Sequence, residues 1–286
     1  MKVKIIHRET DVQWLAVIKQ IELEGDTVWK EGEVDLTLDF RSETIPLQGL
    51  STLGYQTMSA QPDFFISRWF DGAWHPQEFV GVLVSGLMNE GLGPEIPAGF
   101  GGLYKRVGEV WKPDLANLLR EMKVRNFVTL GLTRDLQVTG FQTGVPFPGL
   151  FCVLEGFPCR IVEWFQKPRE LLESSTISVT LSRHPFPHQG KDERVSVGGL
   201  SPAVQRHFWM PFVSKHRKGY FTESTLIGVA TGWAKTFGEA NSRALTSCRS
   251  IEVPLKQFRT DVGAVIRQSF TQLGLIIPQA RNLTSH

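Results

Sequence analysis

The first forty residues alternate between two hydrophobic periods. A short apolar strand is expected over Val3 to Ile6, followed by a helical pattern in "TDVQWLAVIKQIELEG". There Trp14, Leu15, Ile18 and Ile21 recur at helical spacing, Thr10 or Asp11 stands at a capping position, and Gly25 stands where a C-cap would. Strands are expected at "DTVWK" and at "EVDLTLDF", where Val34, Leu36, Leu38 and Phe40 alternate. The result is a βαβ or βαββ fragment, too small for a complete nucleotide-binding domain. Ser42 to Gln61 is turn-rich and irregular.

Beyond it, "DFFISRWFDG" and "HPQEFVGVLVSGLM" read as a hairpin turning at Asp71-Gly72. A glycine-rich loop, "EGLGPEIPAGFGGLYKR", is expected next, then a helix in "KPDLANLLREM". "NFVTLGLTRDLQVTGF" reads as two strands with a turn near Arg134-Asp135, and "CRIVEWF" as a core helix or strand. Strands follow at Ile177 to Leu181 and Thr225 to Thr231. In "TFGEANSRALTSCRSI", Ala240, Ala244, Leu245, Cys248 and Ile251 share one helical face. The fold class is α+β, divided at the polar "QKPRE" turn.

Composition narrows the function classes. The 286 residues, 41% hydrophobic and 21% charged, are enough for two or three small domains with a sizeable core. A formal net charge of +2 gives no overall field toward nucleic acid or an anionic membrane. Cys152, Cys159 and Cys248 lack C-x-x-C spacing, which points away from a disulfide framework or a zinc site. With no apolar stretch of signal or spanning length, a cytoplasmic location is expected.

Four segments in order carry a resemblance. They are "LMNEGLGPEIPAGFGGLYKR", with Gly93, Pro94, Gly99, Gly101 and Gly102; "LGLTRDLQVTGFQTGVP"; "ISVTLSRHPFPHQGKDERVSVGGLS"; and "LIGVATGWAKTFGEANSRALTSCRSI" followed by "FRTDVG". Over roughly residues 62 to 270 they resemble the glycinamide ribonucleotide synthetases (phosphoribosylamine–glycine ligases) of the ATP-grasp superfamily. The resemblance implies an ATP-grasp-like catalytic-half sheet over 59–172, a C-terminal mixed domain over 173–286, and a reduced N-terminal α/β remnant over 1–58.

The departures set the functional expectation. In the family a glycine-rich phosphate turn follows the first strand; here "HRETD" stands there. The family's ATP lid is replaced by the short Ser42 to Gln61 segment. A glutamate and an asparagine, two apart on one strand, hold magnesium in the family; here Gly140 and Gln142 occupy those positions, and Val145 replaces the aspartate of "GDP". An alternative register through "CRIVEWF" makes Glu163 the ligand and puts Phe165 at the asparagine position. Asp63 and Glu78 are the nearest acids, without an evident general acid/base partner.

The expectation is a degenerate, non-catalytic relative with no catalytic residue, no metal and no cofactor, serving as a binding, scaffold or structural protein. Its partner would be a protein or a small nucleotide-like ligand, the Gly93–Gly102 segment either binding it through backbone amides or serving only its own conformation. The alternative is an ATP- and magnesium-dependent carboxylate–amine ligase of purine or modified-nucleotide metabolism, completed by a partner chain. The compact size would suit a virus or mobile element. Three other features have bland readings beside sharp ones. His184 and His188 are held apart from helical metal-pair geometry by two prolines. The basic run Lys215 to Lys218 reads as a hairpin turn or a phosphate contact. The aromatic "HFWMPF", His207 to Phe212, reads as core or a partner patch.

Overall fold

The computed structural model describes residues 1–6, 12–29, 32–39, 43–86, 97–105, 110–171, 173–186 and 194–274. The chain opens with β1 (Lys2–Ile6), α1 (Val12–Leu23), β2 (Thr27–Val28) and β3 (Leu36–Asp39), and the strands form a parallel sheet in the order β2-β1-β3. Helix α1 buries Trp14, Val17 and Ile21, positions one and two turns apart on one stripe, while Leu15 faces outward. It ends in a Schellman motif. Gly25 takes φ +91°, its N–H donates to the Glu22 carbonyl at 3.1 Å, and Asp26 N–H donates to the Ile21 carbonyl at 3.2 Å. The possible caps Thr10 and Asp11 lie outside the described residues.

A short helix, α2 (Leu47–Thr52), precedes the main sheet. The main sheet holds β4 (Phe64–Phe70), β5 (Trp74–Ser85), β6 (Pro97–Tyr104), β7 (Asn126–Leu132), β8 (Val138–Thr143), β9 (Ser175–Arg183), β11 (Phe208–Trp209) and β14 (Leu226–Ala234). Their order is β11-β14-β9-β6-β5-β4-β7-β8, antiparallel at every step, with β15 (Lys256–Gln257) also on β9. A small separate sheet holds β10 (Val195–Val197), β12 (Val213–His216) and β13 (Gly219–Thr222), with α6 (Pro202–Gln205) nearby. No barrel closes among the described strands.

Both faces of the main sheet are covered, as its buried apolar alternation requires. On the first face, α3 (Pro113–Glu121), α7 (Phe237–Ser250) and α8 (Val262–Gln272) pack on Ile66, Val80, Leu130, Ile177 and Val179. On the second face lie α4 (Gly149–Glu155), α5 (Ile161–Gln166) and the N-terminal unit, over Trp69, Phe79, Phe100, Phe127 and Val229. Helix α7 starts where Thr236 Oγ1 accepts from Glu239 N–H at 3.3 Å, and all five of its expected face residues are buried. It lies so close to β14 that a Cβ on Gly232 would overlap the Ala240 carbonyl oxygen.

The expected strand and helix order holds over most of the chain. The segment expected as a loop is strand from Pro97 onward, while Gly93 and Pro94 lie outside the described residues. "CRIVEWF" contributes helix α5, with Ile161, Val162, Trp164 and Phe165 buried. The boundary drawn at residues 172 and 173 is not a break in the sheet, because β9 pairs directly with β6. Residues 43–58, grouped with the N-terminal remnant, run along β8, through a Thr44–Gln142 bridge and a Thr57–Val138 bridge. Lys19 of α1 donates to the carbonyls of Met210, Pro211 and Val213 at 2.7–2.9 Å, tying the first unit to the last third of the chain.

Candidate functional site

Register places Gly140 and Gln142, expected from the sequence resemblance at the family's metal positions, on the second face of the sheet, at its β8 edge. Gly140 pairs with Gly131 and that residue with Phe65; Gln142 pairs with Thr129 and that residue with Ser67. Since neighbours across a ladder point the same way, these six form two adjoining rows. The glycine row makes a shallow trough at Gly140 and is closed at Gly131, where a Cβ would stand 2.9 Å from Thr139 Oγ1 and 3.2 Å from Pro62. A Cβ built on Gly140 meets nothing within 4 Å.

The second row is polar and neutral. Ser67 and Thr129 share a 2.8 Å hydroxyl hydrogen bond, and Thr129 Oγ1 also donates to the Gly144 carbonyl at 2.6 Å. Gln142 is half-buried beside them. Phe141, one position over, points into the core of the first face. Val145 is buried, and its carbonyl accepts from Gln13 Nε2 of α1 at 3.2 Å.

The carboxylates of Asp63, Glu78 and Glu163 are engaged elsewhere, and Glu43 is exposed. Asp63 Oδ2 accepts from Arg134 N–H at 2.9 Å at the strand end. Glu78 is buried, 3.8 Å from Arg68 across the hairpin and on the opposite face. Glu43 meets β8 through its backbone and Thr143. Glu163, the alternative ligand, sits on α5 and pairs with Arg160 at 2.7 Å. Among the described residues no group of three or more His, Cys, Asp or Glu side chains is placed to hold a metal ion. The residues at Gly140 and Gln142 do not fit magnesium, which takes carboxylate oxygens and phosphate together.

The described part of the glycine segment is packed rather than open. Gly99, Gly101 and Gly102 sit in the ladders between β5 and β9, so their amides are sheet groups rather than a free phosphate cradle. A Cβ on Gly99 would stand 2.6 Å from the Ser178 carbonyl oxygen, one on Gly101 would overlap Ile266 of α8, and one on Gly102 would overlap the Val80 carbonyl oxygen. Phe100, fully buried, lies over Gly81 and against Gly149 of α4. These glycines allow close packing on both sides of the strand.

The remaining sequence candidates separate. His184 opens a turn, and His188 lies outside the described residues. Lys215 to Lys218 forms the exposed turn between β12 and β13. In "HFWMPF", Phe208, Trp209 and Met210 are core, whereas His207 is half-exposed and its Nδ1 lies 2.6 Å from Glu155. Cys152 and Cys248 are buried free thiols whose pKa burial raises to about 12. No described helix is long and apolar enough to cross a membrane.

No protein-family model matches the chain, and no curated protein matches it. Solved structures do match. The fold is similar to that of phosphoribosylamine–glycine ligase from Thermotoga maritima, with TM-score 0.63 and 12% identity over 91% of this chain and 100% of that one. More distant are the biotin carboxylase subunit of pyruvate carboxylase (TM-score 0.40, 13% identity, 74% of this chain and 55% of that one) and biotin carboxylase from Campylobacter jejuni (0.41, 11%, 73% and 49%). The chain has a mixed α/β, ATP-grasp-like fold in common with the Thermotoga ligase, built on a largely antiparallel sheet.

Proposed function

We propose that this chain keeps the ATP-grasp fold without magnesium-dependent phosphoryl transfer and acts as a binding or scaffold protein. The observation that carries this reading is the neutral pair of rows formed by Gly140, Gly131, Phe65, Gln142, Thr129 and Ser67. Phosphoryl transfer to a carboxylate depends on metal and cations that neutralise phosphate charge. At the family's metal positions this chain offers one amide and no carboxylate.

A second reading is a carboxylate–amine ligase completed by a partner chain. It is favoured by the open space at Gly140 and by the fold likeness to the Thermotoga ligase. Turnover by the chain alone tests the first reading. Incubation with magnesium, ATP, glycine and phosphoribosylamine is expected to release no ADP above a protein-free blank. Protein-dependent ADP release would overturn the first reading.

A further inference from the structure

At the opposite edge of the sheet from β8, β11 pairs with only Val229 and Ala230 of β14. Beyond Thr231 the outer edge of β14 has no strand partner among the described residues, and a cavity of about 440 Å³ opens there, between β14, the end of α4 and the exposed side of α7. That volume is in the range of small-molecule sites.

A buried carboxylate organises its wall. Glu155 is 6% exposed and ends α4. One of its oxygens lies 2.6 Å from His207 Nδ1, and the other accepts from Thr231 Oγ1 at 2.6 Å. Trp209 Nε1 donates to that same hydroxyl at 3.2 Å, which fixes the network from below. Both carboxylate oxygens are therefore occupied from inside. With Nδ1 taken, Nε2 is the ring nitrogen left to His207, whose side chain is 52% exposed at the cavity.

A second cation stands across the cavity. Arg243, exposed on α7, donates through Nη1 to the Trp233 carbonyl on the unpaired edge of β14, and its guanidinium lies 6.0 Å from the Trp233 ring centre. Its Nε and Nη2 hydrogens have no partner among the described residues, and a guanidinium held by one contact presents the rest of its fork to a planar anion. Trp233 itself is half-buried, with its indole N–H donated to Ser174 at 2.7 Å, so the ring is a fixed apolar wall.

We propose that this groove is a binding site for a small organic anion, its carboxylate or phosphate held between His207 and Arg243 and its apolar body lying against Trp233. The proposal supplies a site for the binding role argued above. Its test contains no nucleotide, so either can fail without the other.

The charged groups acting on His207 are Glu155 of α4, Arg206 beside it and Arg243 of α7; β14 contributes none. The Glu155 hydrogen bond raises the imidazole pKa above its ordinary value, against burial and the two arginines. The imidazolium therefore persists to higher pH than in a free imidazole and is lost as pH rises through the folded pKa, and anion affinity should follow it.

The test is a titration of benzoate, phenyl phosphate and the neutral isostere benzamide, followed at the Trp233 indole N–H by NMR and assigned with Trp233→Phe. A saturable shift with one or both anions and none with benzamide is expected, weakening roughly tenfold between about pH 6 and about pH 9 and in Arg243→Gln. The anion that binds tighter identifies the head group. Arg243 is solvent-exposed, so its variant keeps the fold; His207→Gln should remove the pH dependence. Equal shifts with benzamide, no shift with either anion, or Arg243→Gln titrating like the parent would overturn the proposal.

Discussion

Among single residues, Gly140 and Gly102 make opposite demands on the same kind of side chain. Gly140 opens into a trough, whereas Gly102 faces the Val80 carbonyl and the Phe79 ring. Gly140→Glu should fold like the parent, within about 0.5 kcal/mol. Gly102→Ala should lose roughly 1–3 kcal/mol by overpacking. Chemical denaturation of the two variants tests the pair; a destabilised Gly140→Glu would mean that the trough is closed. Gly140 and Gln142 were singled out in sequence because a resemblance aligned them. The network around His207 was not, because Glu155, Thr231 and Arg243 come from three distant elements. One local signal was present: Glu155 is the single charged residue in the run "GLFCVLEGFP".

Elements were readable where period and punctuation agreed. The β4–β5 hairpin turns at Gly72 with φ +105°, α3 begins with Pro113 at its first position, and α1 stops where Gly25 takes a left-handed conformation. Helix α4 escaped sequence reading because Gly149 to Leu154 are buried on every side, which leaves no amphipathic period to detect. β6 was read as loop because its glycines, which normally mark turns, serve close packing against α8 and β5. Helix α1 showed a stripe but not its partner. Lys19 reaches three carbonyls 191 to 194 residues away, and burial lowers its pKa. Lys19→Met keeps the stem and removes the three hydrogen bonds, leaving those acceptors short of partners. It should cost on the order of 1–3 kcal/mol, read from the denaturation midpoint. An unchanged midpoint would show that the loop before β12 is held by other contacts.

Over the whole molecule, the main sheet binds the halves together. β9 is buried along its entire length, with β6 on one side and β14 on the other, although the polar "QKPRE" turn marks a boundary in the sequence. A turn in the text shows where the chain bends, not which strands pair across it. A fragment of residues 173–286 would expose the β6-facing edge of β9, an aggregation-prone surface. It should fail to give a cooperative unfolding transition by circular dichroism, and a cooperative transition would show that residues 173–286 fold as a separate domain. The same sheet carries the fold likeness to the Thermotoga ligase while presenting a neutral trough at β8.

The proposed combination, an ATP-grasp-like fold without a magnesium carboxylate, is tested most directly by calorimetric titration of the full chain with Mg-ATP. No saturable heat is predicted up to millimolar nucleotide, where a dissociation constant of about 1 mM corresponds to roughly −4 kcal/mol. A saturable, magnesium-dependent affinity would contradict the account.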